Sequence, residues 1–150
     1  MTETKLSELD NPLYSLAHLT LINCTPAELV YVAARAGYEA VSPRFITMNV
    51  PGEFTHAPLD KAQVQATKTA LATTGIKVLD IELARISEDC DPREFEAALE
   101  LGGELGAGHM IMSAWTTRRD DRNFLLDVYS ETCDLAAPYG LTIDLEFPSF

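Results

Sequence analysis

Gly75-Ile76-Lys77-Val78-Leu79-Asp80-Ile81-Glu82-Leu83 decides the fold. A glycine that stops a helix is followed at once by a short apolar strand. That strand delivers two carboxylates to one face, because side chains at i and i+2 of a strand point the same way. The same phrase returns as Gly140-Leu141-Thr142-Ile143-Asp144-Leu145-Glu146-Phe147. Glycines 37, 75, 108 and 140 each precede a strand, spaced by 38, 33 and 32 residues, the length of one βα unit.

Working outward, the first strand is expected over Tyr14–Leu21. Thr25-Pro26-Ala27-Glu28 predicts a helix start, with Thr25 as N-cap, Pro26 at the first helical position and Glu28 closing a capping box. Leu29, Val32, Ala33 and Ala36 form its apolar stripe. A short second strand (Tyr38–Ser42) leads into a Pro- and Gly-bearing loop, Pro43–Pro58. The second helix is expected from Leu59 to Thr74, with Leu59, Ala62, Ala66, Ala70 and Leu71 inward. Asp91-Pro92-Arg93-Glu94 repeats the cap, Pro, acid pattern before Phe95, Ala98, Leu99 and Leu105. His109–Trp115 is the fourth strand. The fourth helix starts near Asp121 and presents Phe124, Leu125, Val128, Leu135 and Ala136, and Leu141–Phe147 is the fifth strand.

Strict alternation of strand and helix implies a parallel sheet with right-handed crossovers. A doubly wound sheet and a (β/α)₈ barrel both fit that pattern. Two features favour the barrel. No G-x-G-x-x-G or P-loop follows any strand. Polar residues gather at the C-terminal strand ends, where barrel enzymes place their chemistry: His18, Thr20, Ser42, Arg44, Glu82, Ser113, Trp115 and Glu146. Alternate barrel strands share an interior layer, so Glu82 and Glu146 are expected to face each other across one cavity. The expected fold is α/β, the first half of a (β/α)₈ TIM barrel with about four βα units and a fifth strand. Residues 1–12 read as a polar tail and 13–150 as the partial barrel. A complete barrel takes about 250 residues, and a lone half would expose sheet edges.

The net charge of −12 disfavours phosphate backbones. Arg118, Arg119 and Arg122, the sole basic cluster, are interrupted by Asp120 and Asp121, so no nucleic-acid partner is expected. No apolar run reaches the length of a membrane span, and the first dozen residues lack the pattern of a secretory signal. Three widely spaced cysteines without a CxxC argue against a disulfide framework. A reducing, cytoplasmic location is the expectation.

Leu16-Ala17-His18-Leu19-Thr20, Thr25–Val30, Ala33–Val41, Gly75–Glu82, Glu100–Ala107 and Tyr139–Phe147 together resemble the sugar phosphate isomerase/epimerase family, the xylose isomerase-like TIM barrels. The resemblance covers the chain after residue 13. It implies metal-assisted isomerisation or epimerisation of a small sugar or sugar phosphate. A glutamate removes the proton alpha to a carbonyl, while a divalent metal (Mg²⁺ or Mn²⁺, with Zn²⁺ an alternative) stabilises the enediolate. It further implies that Glu146 is a metal ligand and base. The family's other ligands come from strands six to eight, beyond the five strands read here. A hydroxy-keto acid dehydratase of the same barrel, and a non-catalytic truncated barrel or interaction module, are the alternatives. An apurinic endonuclease is a further relative, disfavoured by charge.

Each candidate also has a purely structural reading. Glu82 is expected either to contact substrate or to form a salt bridge, with Arg85 as the candidate partner. Asp80 and Asp144, one step deeper, are expected to make structural hydrogen bonds. His18 reads as a core histidine, with substrate contact the minority view. Arg44 is expected to hold a phosphate or carboxylate, or to form a surface ion pair. Trp115 is expected to wall a sugar pocket or to pack under a helix. Two copies pairing as a homodimer would complete or cover a half-barrel.

Overall fold

A computed structural model describes residues 12–48, 51–53, 59–118 and 120–146. The polar tail therefore lies outside the described residues, apart from Pro12.

The strands are β1 (Ser15–Ala17), β2 (Ala40–Ser42), β3 (Lys77–Val78), β4 (Asp80–Ile86), β5 (His109–Ala114) and β6 (Thr142–Glu146). The helices are α1 (Pro26–Ala36), α2 (Lys61–Thr74), α3 (Glu96–Glu104) and α4 (Arg122–Ala136). All strand pairs are parallel, in the orders β1-β2-β3 and β4-β5-β6. Only Leu79 separates β3 from β4, so they are one strand position of five. The two ladders meet at an isolated parallel bridge between Arg44 and Glu82. There the Phe45 N–H donates to the Glu82 carbonyl at 3.3 Å and the Glu82 N–H to that of Pro43 at 3.0 Å. The architecture is the half-barrel expected from the strand–helix alternation together with the polar strand ends.

Caps fix the register of these units. Thr25 accepts from the Glu28 N–H while the Glu28 carboxylate accepts from the Thr25 N–H, the reciprocal box expected there. Asp60 and Asp121 cap α2 and α4. At Gly75 the chain leaves α2 with φ +75, a left-handed turn that favours glycine, and its N–H donates to Leu71. This turn drops the chain directly into β3.

One sheet face packs on the helices. Leu16, Val41, Val78, Ile81, Met110, Met112 and Ile143 share a core with Leu29, Val30 and Ala33 of α1, Ala70 of α2, Ala98 and Leu99 of α3, and Val128 of α4. Close packing is tightest where α3 meets the sheet. A Cβ on Gly102 would sit 3.0 Å from Ile81 Cδ1, and one on Gly103 only 2.6 Å from the Tyr139 carbonyl oxygen. Glycine there lets α3 approach both the sheet and the segment before β6.

Several local expectations need correction. The first strand ends at Ala17, and His18–Leu21 coil into a 3-10 turn, which lets His18 reach its two backbone partners. The second helix starts at Lys61, leaving Leu59 outside it and exposed; on α2 Ala62 and Ala66 are exposed, while Thr67 and Ala70 are buried and Val64 and Leu71 pack beside them. Ala70 and Leu71 of the expected stripe face inward, and Thr67 takes an apolar slot because its hydroxyl bonds the Gln63 carbonyl at 2.8 Å. On α1, Val32 and Ala36 face outward and Val30 is buried. The third helix begins as a 3-10 turn, Pro92–Phe95, before α3.

Candidate functional site

The sheet face opposite the helices carries the polar side chains. Alternation places Ser15, Ser42, Asp80, His109, Ser113, Asp144 and Glu146 there, since their neighbours Leu16, Val41, Ile81, Met110, Met112, Ile143 and Leu145 belong to the core or pack against it. Hydrogen bonds cross the strands on this face. Ser15 Oγ and Ser42 Oγ are 2.9 Å apart, and Ser42 donates to Asp80 Oδ2 at 2.9 Å. His109 Nδ1 lies 3.0 Å from Asp144 Oδ2. Asp80 thus holds the structural hydrogen bond expected of it, whereas Asp144 is exposed and has the approach of His109 instead. Burial raises the Asp80 pKa, the Ser42 hydrogen bond and nearby His109 opposing.

Toward the strand ends, β1, β2 and β4 enclose a second, drier cluster. Arg44, 1% exposed, is not a surface ion pair. Its Nη2 donates to Glu82 Oε2 at 3.4 Å, and its Nη1 lies 3.6 Å from Glu53 Oε1. The ion-pair partner of Glu82 is thus Arg44, from the neighbouring strand. Beneath them His18 is fully buried. Its Nδ1 accepts the Arg44 backbone N–H at 2.8 Å, so its Nε2 carries the proton and donates to the Cys24 carbonyl at 2.8 Å. Both ring nitrogens are engaged in the neutral form, and burial lowers the His18 pKa. His18 is therefore a core histidine that positions Arg44.

Glu82 is the group whose protonation is most altered. Burial pushes its pKa up to about 7. Arg44 opposes the rise, and the negative charge of Asp80 adds to it. One guanidinium stands between two carboxylates, Glu82 and Glu53, so it neutralises neither fully. A carboxyl group that titrates near neutral pH is suited to both giving and taking a proton.

Glu146 behaves differently. It is exposed on β6 and stands level with Ser113 of β5, which in turn stands level with Arg85 of β4. Glu146 therefore aligns with Arg85, and Glu82 sits lower, beside the irregularity between Ile81 and Ala84. Trp115, 39% exposed, donates its indole N–H to Ser113 Oγ at 3.0 Å, and the Arg85 guanidinium lies 5.7 Å from its ring centre. Arg85 also donates to the Met48 carbonyl at 3.0 Å. A cavity of about 190 Å³ adjoins this end of β4, lined by Ile46, Thr47, Leu83, Arg85, Cys90 and Phe95 among others. His18, Arg44, Glu82, Trp115 and Glu146 do not line it.

Glu53 was missed. It lies within the loop expected over Pro43–Pro58, just after Pro51-Gly52, and no periodicity marks it. Both its oxygens accept the Met48 N–H, at 2.9 and 3.0 Å.

The described residues do not by themselves build a divalent-metal site. Among the described residues no three His, Cys, Asp or Glu side chains are grouped to hold an ion, and Glu146 has no second carboxylate or imidazole beside it on that row. No helix among the described residues is long and apolar enough to cross a membrane.

No protein-family model matches the chain, and no curated protein does. Solved structures do. IolI protein with a bound zinc atom is 22% identical, over 89% of this chain and 50% of that one, with a TM-score of 0.64. A sugar phosphate isomerase/epimerase from Parabacteroides distasonis is 12% identical over 90% and 51%, with a TM-score of 0.61. A xylose isomerase-like TIM barrel protein from Mycobacterium smegmatis, in complex with magnesium, is 15% identical over 89% and 54%, with a TM-score of 0.60. The chain spans about half the length of these structures, and its fold is that of one half of a (β/α)₈ TIM barrel.

Proposed function

We propose that the polar face of the sheet is half of a proton-transfer site of the sugar isomerase/epimerase type. Its substrate would be a small sugar or sugar phosphate bearing a carbonyl. The observation that carries this reading is Glu82, a buried carboxyl titrating near pH 7 beside a buried arginine. In the proposed roles Glu82 exchanges a proton with the carbon alpha to the carbonyl or with the adjacent oxygen. Arg44 supplies positive charge where negative charge develops on the substrate. Trp115 offers an apolar wall to the sugar carbons, and Glu146 is a second carboxylate at the rim. His18 holds the Arg44 backbone in place and stays neutral.

A divalent metal is part of this proposal only as a group completed elsewhere, with Glu146 the ligand this chain contributes. No proton-transfer step above depends on it. A second copy of the chain laid over the polar face is the proposed partner that covers it, giving a homodimer. A non-catalytic module is the second reading, favoured by the solvent exposure of Glu146 and the absence of a ligand cluster among the described residues.

The test is deuterium uptake from D₂O at the carbon alpha to the carbonyl, followed by NMR over a panel of aldoses, ketoses and their phosphates. It is run with and without Mg²⁺, Mn²⁺ or Zn²⁺, and beside a mass measurement in solution. Uptake that disappears in Glu82→Gln supports the proposal. A chain that exchanges no proton faster than buffer under any of these conditions favours the non-catalytic reading.

A further inference from the structure

Among the described residues Arg44 has two donors, Nε and Nη1, without a hydrogen-bond acceptor, although it is 1% exposed. A guanidinium is always charged and carries five N–H donors. Native structures seldom leave such donors unmade when buried. The nearest carboxylate after Glu82 is Glu53, yet its oxygen stands 3.6 Å from Nη1, near enough for charge attraction and too far for a hydrogen bond. Glu53 is held back by its own loop, because both of its oxygens accept the Met48 N–H at 2.9 and 3.0 Å. The cation is therefore countered in charge but unsatisfied in hydrogen bonding.

We propose that Arg44 binds an anionic oxygen group of the ligand, a carboxylate or a phosphate, and that Glu53 is the resident anion this group replaces. The inference rests on reading this face as a substrate site, and it narrows the ligand to an anionic one. In the exchange one negative charge leaves the guanidinium as another arrives, so Arg44 is never buried without a counter-charge. The incoming oxygens accept from Nε and Nη1, which Glu53 does not. Glu53→Gln removes the competing charge and keeps an amide oxygen for the Met48 N–H.

The test is titration of the full chain with inorganic phosphate and, in parallel, with glycolate. Binding is read by calorimetry and by the ¹⁵N resonance of the Arg44 side chain. Wild type should bind one or both anions saturably, and Glu53→Gln should bind about tenfold more tightly, the effect of removing one competing charge. Arg44→Gln should abolish binding. Arg44→Lys, which keeps the charge but lacks Nε, should weaken it and serves where Arg44→Gln does not fold. Tighter binding of phosphate identifies a phosphorylated ligand, and tighter binding of glycolate a carboxylate; either supports the proposal. No binding of either anion, or equal affinity in wild type and Glu53→Gln, overturns it. The readout needs no turnover, so absent deuterium uptake leaves this inference standing. Uptake on a neutral sugar without anion binding defeats it alone.

Discussion

Arg44 and Glu82 are joined twice, by a parallel backbone bridge between the two three-stranded ladders and by a side-chain contact of 3.4 Å. The residues that seam the sheet also form its buried ion pair, so charge state and sheet continuity are linked.

The raised Glu82 pKa sets the sign of one pH effect. A folded pKa above the unfolded value favours the protonated form in the fold. The contribution is thus fully present below pH 4.5 and is lost as pH rises through about 7. A rise of that size corresponds to about 3 kcal/mol. Urea unfolding at pH 5 and pH 8 should show wild type losing more stability on alkalinisation than Glu82→Gln. Equal slopes would refute the assignment.

His18 acts in the opposite direction. Its lowered folded pKa favours the neutral ring, so its contribution is present above about pH 6.5 and is lost as pH falls through the folded value. His18→Phe would leave the Arg44 N–H and the Cys24 carbonyl without partners. A loss of about 2–6 kcal/mol is expected, at ~1–3 per orphaned group. Its unfolding free energy should also change less between pH 7 and pH 5 than that of wild type.

Truncating Arg44 to Met should cost about 3–5 kcal/mol, the usual result of leaving a buried charge unpaired. Partial recovery in the double variant Arg44→Met/Glu82→Leu would establish that the Glu82 carboxylate carries a share of the penalty, the rest falling to Glu53. Denaturant midpoints of the four proteins in that cycle provide the measurement.

Gly103→Ala places a methyl 2.6 Å from a backbone oxygen of Tyr139, which is not a flexible side-chain tip. Overpacking of this kind costs about 1–3 kcal/mol. Gly106→Ala, by contrast, meets no neighbour and is strained only by its φ of +83. Thermal melts should show whether the 103 variant loses cooperativity between α3 and the chain before β6.

Glu146→Gln, at an exposed position, should change stability by less than about 0.5 kcal/mol. Under the proposed function it should nonetheless reduce deuterium uptake. Unfolding curves and exchange rates on the same preparation separate the two effects.

The sequence carried the repeat well because glycine stops and capping boxes are local chemistry. Gly75 and the Thr25/Glu28 box lie within a few residues of the elements they define. The site was only partly legible. Strand alternation put Asp80 and Asp144 on the right face, since it needs only a period of two, but not the exposure of Asp144. The Arg44 partner was not legible, because Glu82 is brought beside it by the bridge between ladders, 38 residues away. Glu53 gave no signal at all, because a carboxylate in a Pro-Gly turn has the composition of any solvated loop. The alignment expected between Glu82 and Glu146 missed the irregularity after Ile81, which sets Glu146 level with Arg85 instead.

The bridge at Arg44 and Glu82 has a consequence for how this scaffold can change. In most barrels a loop can be rewritten while the strands stay as they are. Here the first residues beyond β2 form part of the strand pairing that unites the sheet, so a new specificity at position 44 would have to arise together with a new way of closing the gap between β2 and β4. Substitutions at 44 and 82 should be acceptable as matched pairs and poorly tolerated singly, which makes this corner of the fold resistant to gradual drift.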